Sequence, residues 1–291
     1  MRIVTLNVRN PSFDDGANAW PHRREAFFET LRRLRPDVLC LQEDIEALHS
    51  EVCRECGFTW FMGEPREDES PSTEYGSMFF RESIAGLASG TEWLSETPQL
   101  EGSKGWGAAC PRTMHWIDFE NWTLINTHLD HVSLHARTNG MRQIIALADS
   151  IGKPCLITGD LNAEPDEPAL ALAREAGFVD FSEGTGPTYH GFRKPSSVTE
   201  PLTTVLERVD KIKRLVEIEQ DPIRRAELLR SHAEIKNRAF EYEKLAFPES
   251  SKIDYILARG PWRCERAWVE RGDYSDHWAV VADVEFTDSS R

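Results

Sequence analysis

The chain has 291 residues, 40% of them hydrophobic and 10% aromatic, with 34 basic against 49 acidic residues for a formal charge of −15 at pH 7. That length and apolar content suit one large domain with a substantial core and exclude overall disorder. The charge gives a surface field that repels polyanions, disfavouring nonspecific duplex DNA binding, and no run is long and apolar enough to span a bilayer.

The first residues, MRIVTLNV, read as a strand over 3–8, leaving no room for the charged and apolar regions of a secretory leader. Apolar positions three and four apart then predict a helix over 20–34. Strands follow over 38–42, 77–80, 115–119 and 123–128, a helix over 136–150, a strand over 155–158 and a helix over 168–176. Strands over 253–258 and 279–286 complete a mixed α/β pattern. Taken alone, this alternation predicts a doubly wound sheet.

One stretch, about 199–250, has no strand signal, and charges of both signs alternate there with apolar residues. It reads as two amphipathic helices, with Asp221 as N-cap and Pro222 at the first position of the second. The expectation is a helical hairpin inserted within a single domain spanning residues 1–291, whose narrow apolar stripes bury against each other, the main body or a second copy. The six cysteines (Cys40, Cys53, Cys56, Cys110, Cys155, Cys264) are scattered, as expected in a reducing cytoplasm. Cys53 and Cys56 form a lone CxxC whose spacing also fits one helix face, so packing is favoured over zinc or redox chemistry.

Several predicted strands run straight into a polar, chemically capable residue. Asn7, Glu43, His128 and Asp160 do so, which would gather them along one edge of the sheets. Asn7 in TLNVRN and Glu43 in LCLQED offer a carbonyl and a carboxylate. These are hard ligands for Mg²⁺, which keeps several waters for a phosphate oxygen to displace. In GDLN, Asp160 can orient a water and draw off its proton while the Asn162 amide fixes its direction; an Asx turn is the bland alternative. Near the end, SDH supplies His277 and IDYIL supplies Asp254, a carboxylate able to set the imidazole tautomer and stabilise its cation. Asp276 is a further metal or water ligand. His128, in NTHLDH, can donate to a phosphate from the opposite side. Arg9, Arg112 and Arg137 are candidate phosphate forks, with surface charge as the alternative for each.

These motifs occur in a fixed order: Asn at the first strand, QE, NTH, GDxN, IDY and a terminal SDH. This ordered set resembles the endonuclease/exonuclease/phosphatase superfamily over nearly the whole chain outside 199–250. The runs DGANAWPHRR, WLSETP, SKGWGAACPR, NTHLDH and TYHGF narrow the resemblance to a bacterial subgroup. It implies a four-layered α/β sandwich, two mixed sheets face to face with helices outside. It also implies Asn7 and Glu43 as metal ligands, Asp160 and Asn162 positioning water, His128 and His277 on the phosphate, and Asp254 as partner of His277. The chain departs from the family layout in the helical stretch, where a short loop is usual, and in YSDHWAV, where a proline-containing version is common. The expected function is Mg²⁺-dependent hydrolysis, with Mn²⁺ as a substitute, of a soluble small phosphoester by in-line attack of water. The alternatives are a DNA or RNA nuclease, which needs a basic groove, and a scaffold that forms homo-oligomers through 199–250 around a vestigial site.

Overall fold

The first strand is RIVTLN, with its last five residues buried, the continuous apolar run of a strand covered on both faces. The computed structural model describes residues 1–67, 70–81, 87–192, 208–209, 211–216, 218–246 and 250–287. In chain order the elements are β1 (Arg2–Asn7), α1 (Trp20–Leu34), β2 (Val38–Gln42), α2 (Glu46–Cys56), β3 (Trp60–Met62), β4 (Met78–Phe80), β5 (Ala88–Trp93) and β6 (Thr113–Asp118). Then come β7 (Thr123–His128), α3 (Leu134–Ile151), β8 (Cys155–Asp160), α4 (Pro168–Glu175), β9 (Val179–Asp180), α5 (Pro222–Ala246), β10 (Asp254–Arg259), β11 (Trp262–Glu270) and β12 (Ala279–Phe286).

The strands form two six-stranded mixed sheets, ordered β11-β12-β1-β2-β4-β3 and β5-β6-β7-β8-β10-β9. Among the described strands only β1/β2 and β7/β8 are parallel, and α1 and α3 supply their crossovers. Alternation along each strand builds three cores. Ile3, Val38, Phe80 and Val280 of the first sheet meet Leu124, Leu156 and Ile256 of the second, so the sheets face each other. One residue along, Val4, Leu39 and Val281 pack with Phe27, Phe28 and Leu31 of α1 and with Leu48 and Val52 of α2. Ile125, Ile157 and Leu257 pack with Met141 and Ile144 of α3 and Leu170 of α4. Each such side chain contributes roughly 1.5–3 kcal/mol when fully buried. The result is a four-layered α/β sandwich, which corrects the doubly wound expectation. Central strands are apolar on both faces whether the second cover is helix or sheet, so strand sequence alone cannot separate the two.

Sequence reading missed α2 and four strands: β3, β5, β9 and β11. Cys53 and Cys56 lie on α2, where Cys56 joins the core and Cys53 packs against it, and all six cysteines are free. The backbone divides into two compact units, Met1–Tyr189 with Ser251–Arg291, and His190–Ser250. In the second unit α5 begins as expected, Asp221 Oδ1 accepting the N–H groups of Ile223 at 2.9 Å and Arg224 at 3.0 Å. Before it, residues 208–209, 211–216 and 218 are helical, while the start of the predicted hairpin, 199–207, lies outside the described residues. Ile223 and Leu229 of α5 are exposed in the single chain. Among the described residues no helix is long and apolar enough to cross a membrane.

Candidate active site

Sheet register gathers the polar strand ends. In the second sheet His128 of β7 and Asp254 of β10 both pair with Asp160 of β8, from opposite sides. In the first, β1 pairs with β2 so that Asn7 lies opposite Gln42 and Glu43 follows directly. The Asn7 amide joins the two groups, donating to Glu43 Oε1 at 2.9 Å and to Asp160 Oδ2 at 3.0 Å. Its carbonyl accepts the Arg9 N–H at 2.9 Å. Close approach of backbones explains the glycine before Asp160: a Cβ on Gly159 (φ +147°) would fall 1.9 Å from the Thr127 carbonyl oxygen. Arg9, Glu43 and Asn162 adopt positive φ of 55°, 59° and 46°, left-handed conformations that cost of order 1–3 kcal/mol each and persist where surroundings over-determine them.

The charges at this edge are set by their neighbours. Asp160 Oδ2 lies 3.4 Å from His128 Nε2 and 3.7 Å from His277 Nε2, while Oδ1 accepts the Asn162 N–H at 2.9 Å. Burial and then the charge of Asp254 push Asp160 up to about 7, against the pull of His277. His277 Nδ1 meets Asp254 Oδ2 at 2.9 Å. Burial would lower this imidazole, but the charges of Asp254 and Asp160 outweigh it and raise it to about 10, so the imidazole is a cation held by carboxylates. His128 is the opposite case. Burial, and then the charges of Arg112 and Arg66, hold it well below its ordinary value and therefore neutral. Glu43 is held below its ordinary value against the cost of burial by N–H groups of Asn7 and Asn10, helped by His277 and Arg112.

The remaining candidates are less tightly gathered. Asp276 is buried; burial raises its pKa, and the charge of Glu43 adds to the rise. Asn162 is anchored through Nδ2 on the Leu129 carbonyl at 3.0 Å. Arg112 is 5% exposed, with Nη2 3.1 Å from His131 Nδ1, and its Nε and Nη1 have no partner among the described residues. Arg9 is directed at Asp15, though the charges of Asp276 and Glu43 also act on it, and Arg137 is directed at Glu167 and the Asp130 carbonyl, so both forks are engaged by protein groups.

Other residues of the site escaped sequence reading. Glu74, buried, offers an oxygen within 4.8 Å of ligand atoms of Glu43 and His128. Burial and then Glu43 raise its pKa, and Arg66 binds it at 2.6 Å. Thr188 Oγ1 receives the N–H of Asp254 at 3.1 Å, and the Tyr189 ring stands 4.8 Å from His277. Ser275 Oγ donates to the Asn7 backbone carbonyl at 2.6 Å and accepts the His277 N–H at 3.2 Å. Arg23 donates to the carbonyls of Val8, Arg9 and Asn18 and pins the loop after β1. Thr188, Tyr189, Ser275 and Arg23 stand in motifs already noted, which was the available signal; Glu74 had none.

Comparison with known proteins places this geometry in a family. The model of the Endonuclease/Exonuclease/phosphatase family matches residues 4–277. No curated protein matched the sequence. Among solved structures, an endonuclease/exonuclease/phosphatase from Bacteroides vulgatus superposes with a TM-score of 0.73 at 21% identity, covering 98% of each chain. A mannosyl-6-phosphatase from Bacteroides thetaiotaomicron gives 0.70 at 19% identity, covering 98% of this chain and 100% of that one. D. rerio TDP2 complexed with a single-strand DNA product gives 0.61 at 16% identity, again covering 98% of each. These likenesses establish a shared fold, and the family match extends from β1 to His277. This chain belongs to the endonuclease/exonuclease/phosphatase family.

Proposed function

We propose that this chain is a Mg²⁺-dependent phosphodiesterase or phosphatase acting on a soluble small phosphoester, with Mn²⁺ as a substitute. The observation that carries the reading is the meeting of the two sheets at one amide, Asn7 bonded to both Glu43 and Asp160. The donors fit a hard divalent cation. Glu43, Glu74 and Asp276 are carboxylates whose mutual repulsion, added to burial, holds the last two toward their neutral forms, a tension that a cation relieves. Glu43, Glu74 and Asp276 would hold it, with the second lone pair of Asn7 Oδ1. When bound, the cation would neutralise a non-bridging oxygen and the charge growing on the leaving oxygen.

The chain's own residues do the rest. Asp160 aligns a water for in-line attack and takes its proton as the new P–O bond forms and the ester P–O bond breaks. Asn162, held by Leu129, fixes the water's direction. His277, kept cationic by Asp254, stabilises the equatorial oxygens, and neutral His128 donates a hydrogen bond from the other side. Arg112 presents two unmatched donor nitrogens that suit a phosphate. A small substrate is favoured because the charge of −15 opposes a polyanion, and one protein of this fold is a mannosyl-6-phosphatase.

A panel of phosphomonoesters, phosphodiesters and oligonucleotides, assayed with Mg²⁺, Mn²⁺ and chelator, tests the reading. Metal-dependent, chelator-sensitive turnover of small esters is expected. Plasmid nicking at low salt as fast as small-ester turnover would replace it with a nuclease.

A further inference from the structure

Beside the site lies a buried knot of Asp44, His49 and Ser77, each at most 4% exposed. His49 Nε2 lies 2.8 Å from Asp44 Oδ2 and 3.0 Å from Ser77 Oγ, while the Ser77 N–H donates to Asp44 Oδ1 at 3.1 Å. The residue types are those of a hydrolytic triad, but the geometry is not. A triad histidine holds its acid on one ring nitrogen and its hydroxyl on the other. Here both meet Nε2, so the ring cannot pass a proton between them and can only tie them together. It is fixed in turn by Phe61, Tyr75 and Phe79, whose ring centroids lie 4.8–5.9 Å away.

What the knot ties is informative. Asp44 directly follows Glu43, which sits at a φ of 59°. The Asp44 carbonyl accepts the N–H of Tyr75 at 2.8 Å, and Tyr75 directly follows Glu74. The Ser77 carbonyl accepts the N–H of Leu41 at 2.8 Å, closing the loop back onto β2. Gly63 packs so tightly here that a Cβ would fall 2.4 Å from Ser77 Oγ. The knot therefore grips the backbone next to each of two carboxylates that, with His128, bring ligand atoms within 4.8 Å of one another. Ionised carboxylates at that distance repel, a tension that raises the Glu74 pKa and that Arg66 relieves only in part, so their backbones must fix the spacing before a cation arrives.

We propose that Asp44, His49 and Ser77 are positioning residues that hold Glu43 and Glu74 at the spacing a divalent cation requires, a role that rests on the metal-dependent reading above. Partners behind metal ligands commonly govern affinity by 10–100-fold.

The test is calorimetric titration of Mn²⁺ into chelator-stripped protein without substrate, alongside kcat and KM for a small ester. His49→Phe keeps the ring packing and removes both bonds; His49→Gln restores an N–H donor; Ser77→Ala removes one link and decides the matter if His49→Phe does not fold. His49→Phe is expected to weaken Mn²⁺ binding by at least about 10-fold, Ser77→Ala to weaken it less, and His49→Gln to recover part of the loss. Folded variants that bind Mn²⁺ within about twofold of the parent would overturn the clamp while leaving the metal-dependent reading intact. A parent that binds no Mn²⁺ would overturn that reading itself.

Discussion

The carboxylate of Asp160 meets four groups: Asn7 Nδ2 at 3.0 Å, the Asn162 N–H at 2.9 Å, His128 at 3.4 Å and His277 at 3.7 Å. A residue so placed can orient a water only as a carboxylate, so Asp160→Asn should lower kcat by roughly 10²–10⁴-fold with little change in thermal unfolding. Near-full metal-dependent turnover by that variant would remove Asp160 from the mechanism. His277 makes a sharper case because its charge depends on a partner. Asp254 and Asp160 overcome burial and raise it to about 10. In chelator, its imidazole resonances should therefore titrate well above the ordinary histidine range. Asp254→Asn should bring that titration back down; an unmoved midpoint would show that Asp254 does not set the charge. The residues of this cluster were legible because each stands at or beside one end of an apolar strand and sits in a motif. Glu74 was not, for it lies on an irregular segment and acquires its place only when Tyr75 bonds Asp44 across the sheet end. The arginines show the converse limit: Arg9, Arg112 and Arg137 look alike in sequence, yet of the three only Arg112 is left with buried unmatched donors among the described residues.

Central strands announced themselves and edge strands did not. Residues 38–42, 123–128 and 279–286 match β2, β7 and β12 end to end, because burial on both faces leaves central strands rich in apolar and β-branched side chains. β11 carries Arg263, Glu265 and Arg266 on an edge with a bulge between Cys264 and Arg266, charges that help an edge avoid pairing with other chains but hide it from a hydrophobic pattern. β5, ASGTEW, is an edge of the second sheet and equally polar. Charge also joins elements directly. Arg2 on β1 stands opposite Asp283 on β12 and binds it through Nε at 2.7 Å and Nη2 at 2.9 Å, while Nη1 donates to the Leu34 carbonyl. The hydrogen bond from Arg2 holds the Asp283 pKa below its ordinary value. Its stabilisation is thus fully present above the unfolded carboxylate pKa and is lost as pH falls through the depressed folded value. Asp283→Asn should cost about 0.5–1 kcal/mol near pH 7, the pair being partly exposed. In denaturant melts that difference should shrink as pH drops below about 4; a pH-independent difference would assign it to packing rather than charge.

Both sheets repeat one design. Reading β11-β12-β1-β2-β4-β3 beside β5-β6-β7-β8-β10-β9, each position has the same pairing sense, with one parallel pair joined through a helix and antiparallel neighbours on either side. Corresponding strands carry corresponding tasks: β1 and β7 end in Asn7 and His128, β2 leads into Glu43, and β8 ends in Asp160. No repeat is visible in the sequence, because what recurs is connectivity rather than residues. Neither half alone supplies the site. The 190–250 stretch has no counterpart in this scheme, and the chain leaves for it and returns through one stem: the Tyr189 N–H bonds the Ser251 carbonyl at 2.9 Å and the Ser251 N–H bonds the Tyr189 carbonyl at 3.1 Å. Residues so paired lie about 5 Å apart, a gap that a two-residue turn spans, so residues 190–250 can be replaced by a short glycine-rich link. All the candidate catalytic side chains lie outside that stretch, so the shortened protein should fold and keep metal-dependent turnover of a small ester. Within the stretch Ile218 and Ile223 are 73% and 74% exposed. If they serve assembly, light scattering should give the parent as an oligomer and the shortened chain as a monomer. Equal association states would remove the assembly role, and faster turnover of bulkier esters by the shortened chain would identify the stretch as a lid.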